Sequence, residues 1–424
     1  MTSVEAGVTA PTAEAPGGAR FFGNRRLYLR LLVRGAVLLA VTLGIYRFWF
    51  ATDVRRFLWS NTEIGGESLE YSGTAFELLL GFLIAVAILV PLYAGFFLAA
   101  LDLGLVGRLS GLLAFATLFV LGQYAIYRAR RYRLTRTIYR GLRFHQKGSA
   151  WGYAFRAVAW WVLTIVTLGL AYPFQLASLE RYKMGRTFYG DLPGHFAGSG
   201  WGLFLRGFPM WFLVMAPIAL AVIALVEGVQ WTTLVNALEQ GGDEAMARIE
   251  GSNPALGAVI VFVMLMFAAS IAIAALLYPA LQTVILRWWS SGLRFGTIAI
   301  GSQLKMRHVY GAYMRFLWWA LLFSLGLAVL AVPALMAVGS LAGHDHTSTA
   351  GEIAATVILI GGYVIAVLGF STIYRATVLL SLWQLGMESL QLSGLDALET
   401  VKASGLPSSA LGEGLADALH VGGY

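Results

Sequence analysis

Residues Thr42–Thr62, TLGIYRFWFATDVRRFLWSNT, and Thr167–Thr187, TLGLAYPFQLASLERYKMGRT, decide how this chain folds. Each opens on Thr-Leu-Gly inside an apolar run. Each closes twenty residues later on a Thr, after a group of cations. About twenty apolar residues cross a bilayer, so each segment can be a span. Alternatively, each breaks at its glycine (Gly44, or Gly169 aided by Pro173) and returns as a helical hairpin. Such a break is tolerated at membrane depth where protein or water satisfies the freed backbone.

Working outward, six further apolar segments follow, at 76–100, 109–127, 203–226, 255–285, 313–340 and 351–382, beside the two at 35–54 and 153–178. The chain of 424 residues is 58% hydrophobic and only 12% charged, about half the charge of a soluble domain. Its mean hydropathy is +0.72. These values exclude an ordinary water-soluble globule. The fold expected is an all-α polytopic membrane protein of six to eight transmembrane helices, with internal repeats and short cytoplasmic β-ribbons.

The repeat aligns on Thr62, Thr137 and Thr187. Thr-Leu precedes each by twenty residues, at Thr42, Thr117 and Thr167. Glycine follows by eleven, at Gly73, Gly148 and Gly198. A hydroxyl comes next, at Thr74, Ser149 and Ser199, then an aromatic two further on, at Phe76, Trp151 and Trp201. A looser copy starts at Arg287 and a degraded one follows Tyr374. The copy at Thr117 carries Phe119 where the others carry glycine, which argues against a break there. Between Thr and Gly, alternations such as Leu142-Arg143-Phe144-His145 predict small ribbons.

Charge separates the two topologies. With eight spans, the side holding the termini carries 17 of the 30 Lys and Arg and the other side 13, with the basic loop 128–150 outside. With six spans and two hairpins, the partition becomes 28 to 2, with only Arg108 and Arg248 outside, as the positive-inside bias demands. The acidic connection 227–254 also falls outside. Both arrangements put both termini in the cytoplasm, and the second fits better.

Residues 1–19, small and polar with Pro and Gly, read as a disordered tail. They lack the basic start and apolar core of a signal peptide. Residues 20–382 form the membrane domain and 383–424 a cytoplasmic tail, acidic at Glu388, Asp396, Glu399, Glu413 and Asp417, whose stretch ESLQLSGLDALETV either docks under the basic loops or belongs to a partly disordered tail.

Several residues bear on function. Arg47, Glu77, Asp102 and Arg375 lie within or beside apolar segments, where ionisable groups are costly and mark ion paths unless they sit at helix ends. Arg128, Arg130, Arg131, Arg133, Arg136, Arg140 and Arg143 interleave with tyrosines. Beside membrane helices, the chemistry that suits them is anionic phospholipid rather than nucleic acid, at about 1 kcal/mol per cation near the surface. Asp53 and Arg56 suit a local pair. His344-Asp345-His346 reads as a solvated turn; a metal would need further ligands. There is no cysteine, which removes thiol chemistry. No phosphate loop, catalytic triad or dinucleotide fingerprint is present, so no enzyme and no cofactor is expected.

The chain resembles the YjgN-like family of bacterial inner-membrane proteins, a domain of unknown function. The resemblance rests on Thr42-Leu43-Gly44-Ile45-Tyr46 with Phe48-Trp49, and on Arg56–Thr62 followed by Gly65-Gly66 and Leu69-Glu70-Tyr71-Ser72-Gly73. It also rests on Gly412-Glu413-Gly414-Leu415-Ala416-Asp417-Ala418-Leu419. It covers residues 20 to 424. It implies an inner-membrane location and no established activity. Transport of a small solute is one expectation; a non-transporting scaffold for lipid or envelope partners is the other.

Overall fold

The computed structural model describes residues 18–102, 104–240, 251, 254–342, 349–405 and 408–421. The chain opens with β1 (Ala19–Phe21), α1 (Arg25–Val41), α2 (Arg47–Ser60), β2 (Thr62–Ile64), β3 (Glu67–Ser68) and β4 (Glu70–Tyr71). Next come α3 (Ala75–Asp102), α4 (Gly104–Arg136), β5 (Thr137–Tyr139), β6 (Leu142–Gln146), α5 (Ala150–Val166) and α6 (Tyr172–Met184). Then follow β7 (Thr187–Tyr189), β8 (Leu192–Phe196), α7 (Gly200–Gly228), α8 (Trp231–Gln240), α9 (Leu256–Gly292), β9 (Leu293–Phe295) and β10 (Ile298–Ser302). The chain ends with α10 (Met306–Ala342), α11 (Thr349–Tyr374), a π turn (Arg375–Leu379), α12 (Leu380–Glu388), β11 (Leu390–Ser393), a 3-10 turn (Leu395–Thr400) and α13 (Leu411–Ala418).

Among the described residues, six stretches are long and apolar enough to cross a membrane: α3, α4, α7, α9, α10 and the α11–α12 rod. The protein is therefore read as a multi-pass membrane protein. Neither segment 35–54 nor segment 153–178 forms a single helix; each is broken at its Thr-Leu-Gly. α1 and α2 are packed antiparallel across a turn in which Leu43 and Gly44 take φ of 50° and 91°. α5 and α6 do the same across Leu168 and Gly169, at 50° and 93°. Left-handed backbone favours glycine, which is why each hairpin needs its Gly. The threonines close the turns identically. Thr42 and Thr167 donate back to Leu38 and Leu163 and accept from the N–H of Tyr46 and Ala171. At Thr117, where Phe119 replaces glycine, α4 runs through unbroken.

The other aligned residues also have local jobs. Thr62, Thr137 and Thr187 each donate to the carbonyl four residues back (2.7, 2.9 and 2.8 Å), closing a helix where a strand begins. The hydroxyls of Thr74, Ser149 and Ser199 accept from the N–H three residues on, capping the helix that follows. A Cβ at Gly73 or Gly198 would strike the ring of Tyr71 or Phe196.

The expected ribbons exist, but the all-α expectation is corrected. The hairpins join edge to edge into an antiparallel sheet of eight strands, β4 to β11 in chain order, beside a three-stranded sheet β1-β2-β3. Leu69 links β3, which pairs with β2, to β4, which pairs with β5. A bridge from Gly18 to Gln391 joins β11 to the start of β1. The two sheets thus follow one another round a ring, joined through Leu69 on one side and by this single bridge on the other. Phe144 on β6 and Phe295 on β9, with two strands between them, approach to 6.1 Å between ring centroids, so the sheet is strongly curved. Leu69, Tyr139 and Tyr189 form a buried cluster there, with Leu398 and Val401 from the segment after β11 packed against it.

All six apolar helices meet this ring at one end. α3, α7 and α10 leave from it; α4, α9 and the α11–α12 rod return to it. The helices pack in chain order, and α1 packs against α11 to complete the circuit. Away from the ring the packing is sparse. At most 6% of the apolar window is buried in α7, α9, α10 and the α11–α12 rod, against 22% in α3 and 28% in α4.

Candidate functional site

The charged residues gather where α2, α3 and α4 meet the strands, and the C-terminal segment completes their network. α13 wedges between α3 and α4. Its glycines allow this: a Cβ on Gly414 would overlap the backbone of Gly81, and one on Gly412 would overlap Arg128. Leu415 and Ala416 join Ala85, Ala125 and Ala129 in one apolar cluster, so small residues on three helices permit close approach.

This wedge carries Glu413 to Arg55. The two form a buried ion pair, with side chains 8% and 6% exposed. Arg55 also donates to the Tyr71 hydroxyl at 3.0 Å, and Arg133 lies 3.9 Å from the second Glu413 oxygen. Burial lowers the Arg55 pKa, but Glu413 and Tyr71 more than offset this and raise it beyond its ordinary value. One turn on, Asp417 meets Arg47 at 2.8 Å. Burial raises the Asp417 pKa despite that arginine. A neighbouring group joins Arg136 to Glu77 at 2.6 Å, with Tyr132 donating to the other Glu77 oxygen at 2.7 Å. A third pairs Lys183 with Glu180, next to Arg130, which donates to Thr187 and Met184.

The four charges expected at membrane depth therefore sit as follows. Glu77 is in the first turn of α3, at the ring end. Arg47 opens α2, held by Asp417 and lying 4.1 Å from the Phe82 ring centroid. Arg375 begins the π turn, donates to Ser371 and faces the Phe50 ring. Asp102 closes α3, but its side chain lies outside the described residues.

Most of the basic loop is engaged within the protein. Arg130, Arg133 and Arg136 belong to the networks above. Arg131 donates to the Gly148 carbonyl, Arg143 to that of Thr135, Arg128 to Ser409, and exposed Arg140 to the Gly65 carbonyl. Asp53 and Arg56 do not pair: Asp53 accepts from Tyr46 and Arg56 donates to the Gly73 carbonyl. Among the described residues no cluster of three His, Cys, Asp or Glu could hold a metal; His344-Asp345-His346 lies outside them. The 1–19 tail lies outside them up to residue 17, and Ala19 already belongs to β1.

The partners of Arg55 and Arg47 were missed in the sequence. A signal existed: Gly412-Glu413-Gly414 sets an acid between two small residues, the pattern of a helix approaching another backbone while delivering one charge.

A family model described as "Bacterial protein of unknown function (DUF898)" matches residues 17–418. The chain belongs to that family. It is the YjgN-like family which the turn motifs and the tail resemble. No curated protein and no solved structure matches the chain. Within this DUF898 chain, the ion pairs of Glu413 and Asp417 join the C-terminal segment to the first hairpin and to α4.

Proposed function

We propose that this protein is a non-transporting scaffold of the bacterial inner membrane, built from a repeated unit of helix, strand hairpin and helix. Its strand ring and both termini face the cytoplasm, and its splayed apolar helices organise lipid. One observation carries this reading: two charges that could line a solute path, Glu77 at the ring end of α3 and Arg47 at the hairpin-turn end of α2, are tied by ion pairs within the protein. The sparse burial of α7, α9, α10 and the α11–α12 rod supports the lipid side of the reading, since apolar surface bare within the chain must be covered by acyl chains or other helices.

The inward placement of the ring follows the partition of 28 cations to 2. Transport remains the alternative expectation, favoured by the broken hairpins. Solute flux in proteoliposomes separates the two. A scaffold leaves the leak of ions, amino acids and sugars at the protein-free level. A saturable flux, lost in Arg47→Gln or Glu77→Gln, would overturn the reading.

A further inference from the structure

A concavity lies between the start of α7, the end of α9 and the last residue of β10. It encloses about 530 Å³ and is lined by Arg206, Arg287, Val284, Trp288, Ser291 and Ser302, among others, with no acidic residue in its lining. Neither the Arg206 nor the Arg287 guanidinium has a hydrogen-bond or ion-pair partner among the described residues, whereas most of the arginines on α4 are engaged internally. Two cations facing one hollow without a carboxylate repel each other, and an anion between them removes that cost.

The walls are fixed. Trp288 donates to the Ser199 carbonyl at 2.9 Å and packs edge-on against Phe196 at 4.9 Å. The Ser302 hydroxyl is held 2.9 Å from that of Ser389. Depth is set by the helices. Arg206 is six residues into α7 and Arg287 five from the end of α9, roughly 8–9 Å from the ring end at 1.5 Å per residue. Exposed Trp201 and Trp289 lie at the same end, with exposed Leu205 and Phe208 beside Arg206. Tryptophan at one level and apolar surface beside it mark the headgroup boundary.

We infer that Arg206 and Arg287 bind the phosphate of one anionic phospholipid, whose acyl chains lie along α7 and α9. Guanidinium forks match phosphate oxygens in pairs. The site deepens the scaffold reading by naming the lipid class and place, yet its readout is binding rather than flux, so each can fail without the other.

The test is native mass spectrometry of the full chain in non-ionic detergent, titrated with dioleoyl phosphatidylglycerol. The original protein should hold one lipid that Arg206→Gln/Arg287→Gln binds about 30-fold more weakly, from about 1 kcal/mol per cation. Equal lipid retention by the double variant would overturn the site. Displacement of the lipid by millimolar inorganic phosphate would assign the hollow to a free anion and overturn the lipid reading. Arg206→Lys/Arg287→Lys keeps both charges and guards against misfolding. It should bind within about tenfold of the original; loss equal to that of the Gln pair would exclude charge recognition of a headgroup.

Discussion

Replacing Glu413 by Gln removes one charge from the most buried ion pair in the structure. Arg55, 6% exposed, then keeps only neutral acceptors, the amide oxygen and the Tyr71 hydroxyl, and Arg133 loses the carboxylate 3.9 Å away. Removing one member of a buried pair costs about 3–5 kcal/mol, because the survivor stays desolvated and uncompensated. At roughly 2 °C or more per kcal/mol for a long chain, the melting temperature in detergent should fall by on the order of 10 °C. Asp417→Asn is the control. Its pair with Arg47 is exposed by 40% and 31%, so it should cost under about 1 kcal/mol. Arg55→Met/Glu413→Leu, which removes both charges, should be more stable than Glu413→Gln. The reasoning fails if Glu413→Gln melts within about 1 °C of the original, or if the two acids cost the same.

Three further outcomes follow from local geometry. Gly44→Ala and Gly169→Ala should each destabilise by about 1–2 kcal/mol through their left-handed φ, since a Cβ meets no close atom at either position; an unchanged melting temperature would mean the hairpins turn elsewhere. Gly414→Val should push α13 off the Gly81 backbone and expose residues 395–418 to limited proteolysis, whereas an unaltered digest would contradict the wedge. His145 is buried against Phe188 and the φ +95° Gly405, without a hydrogen-bond partner on either ring nitrogen. Burial, reinforced by Lys147, lowers its pKa. The folded state therefore binds fewer protons than the unfolded, so this stability is present above the unfolded value of about 6.5 and is lost as pH falls through the folded one. Melting curves between pH 7 and 5 should fall more steeply than for His145→Gln, and parallel curves would refute this.

Much of the fold was legible because the repeat encodes it locally. Thr-Leu-Gly supplies a hydroxyl that bonds backbone on both sides of a turn and a residue free to take positive φ. The later Thr closes a helix, and Ser or Thr after the hairpin caps the next one. These are short-range effects, readable from spacing. Closure of the strands into a ring was not legible, since it depends on pairing between hairpins tens of residues apart and on a single bridge from Gly18 to Gln391. The basic loop was legible as charge but not in its partners, which lie as far off as Ser409, 281 residues from Arg128; likewise Glu413, which answers Arg55, is 358 residues away. Arg206 and Arg287 gave no signal at all, being lone cations on different helices until the fold sets them round one hollow.

The central claim is that both Thr-Leu-Gly segments turn back, so that every strand hairpin lies on the cytoplasmic face. The absence of native cysteine makes single-cysteine labelling its most direct measurement. Gly66→Cys, Arg140→Cys, Asp191→Cys and Gly296→Cys place a thiol at the tip of each hairpin in turn. With a membrane-impermeant maleimide, all four should stay unlabelled in spheroplasts and react in inverted vesicles. Labelling of positions 66 and 140 from outside, with 191 and 296 protected, would mean eight crossings and contradict the account.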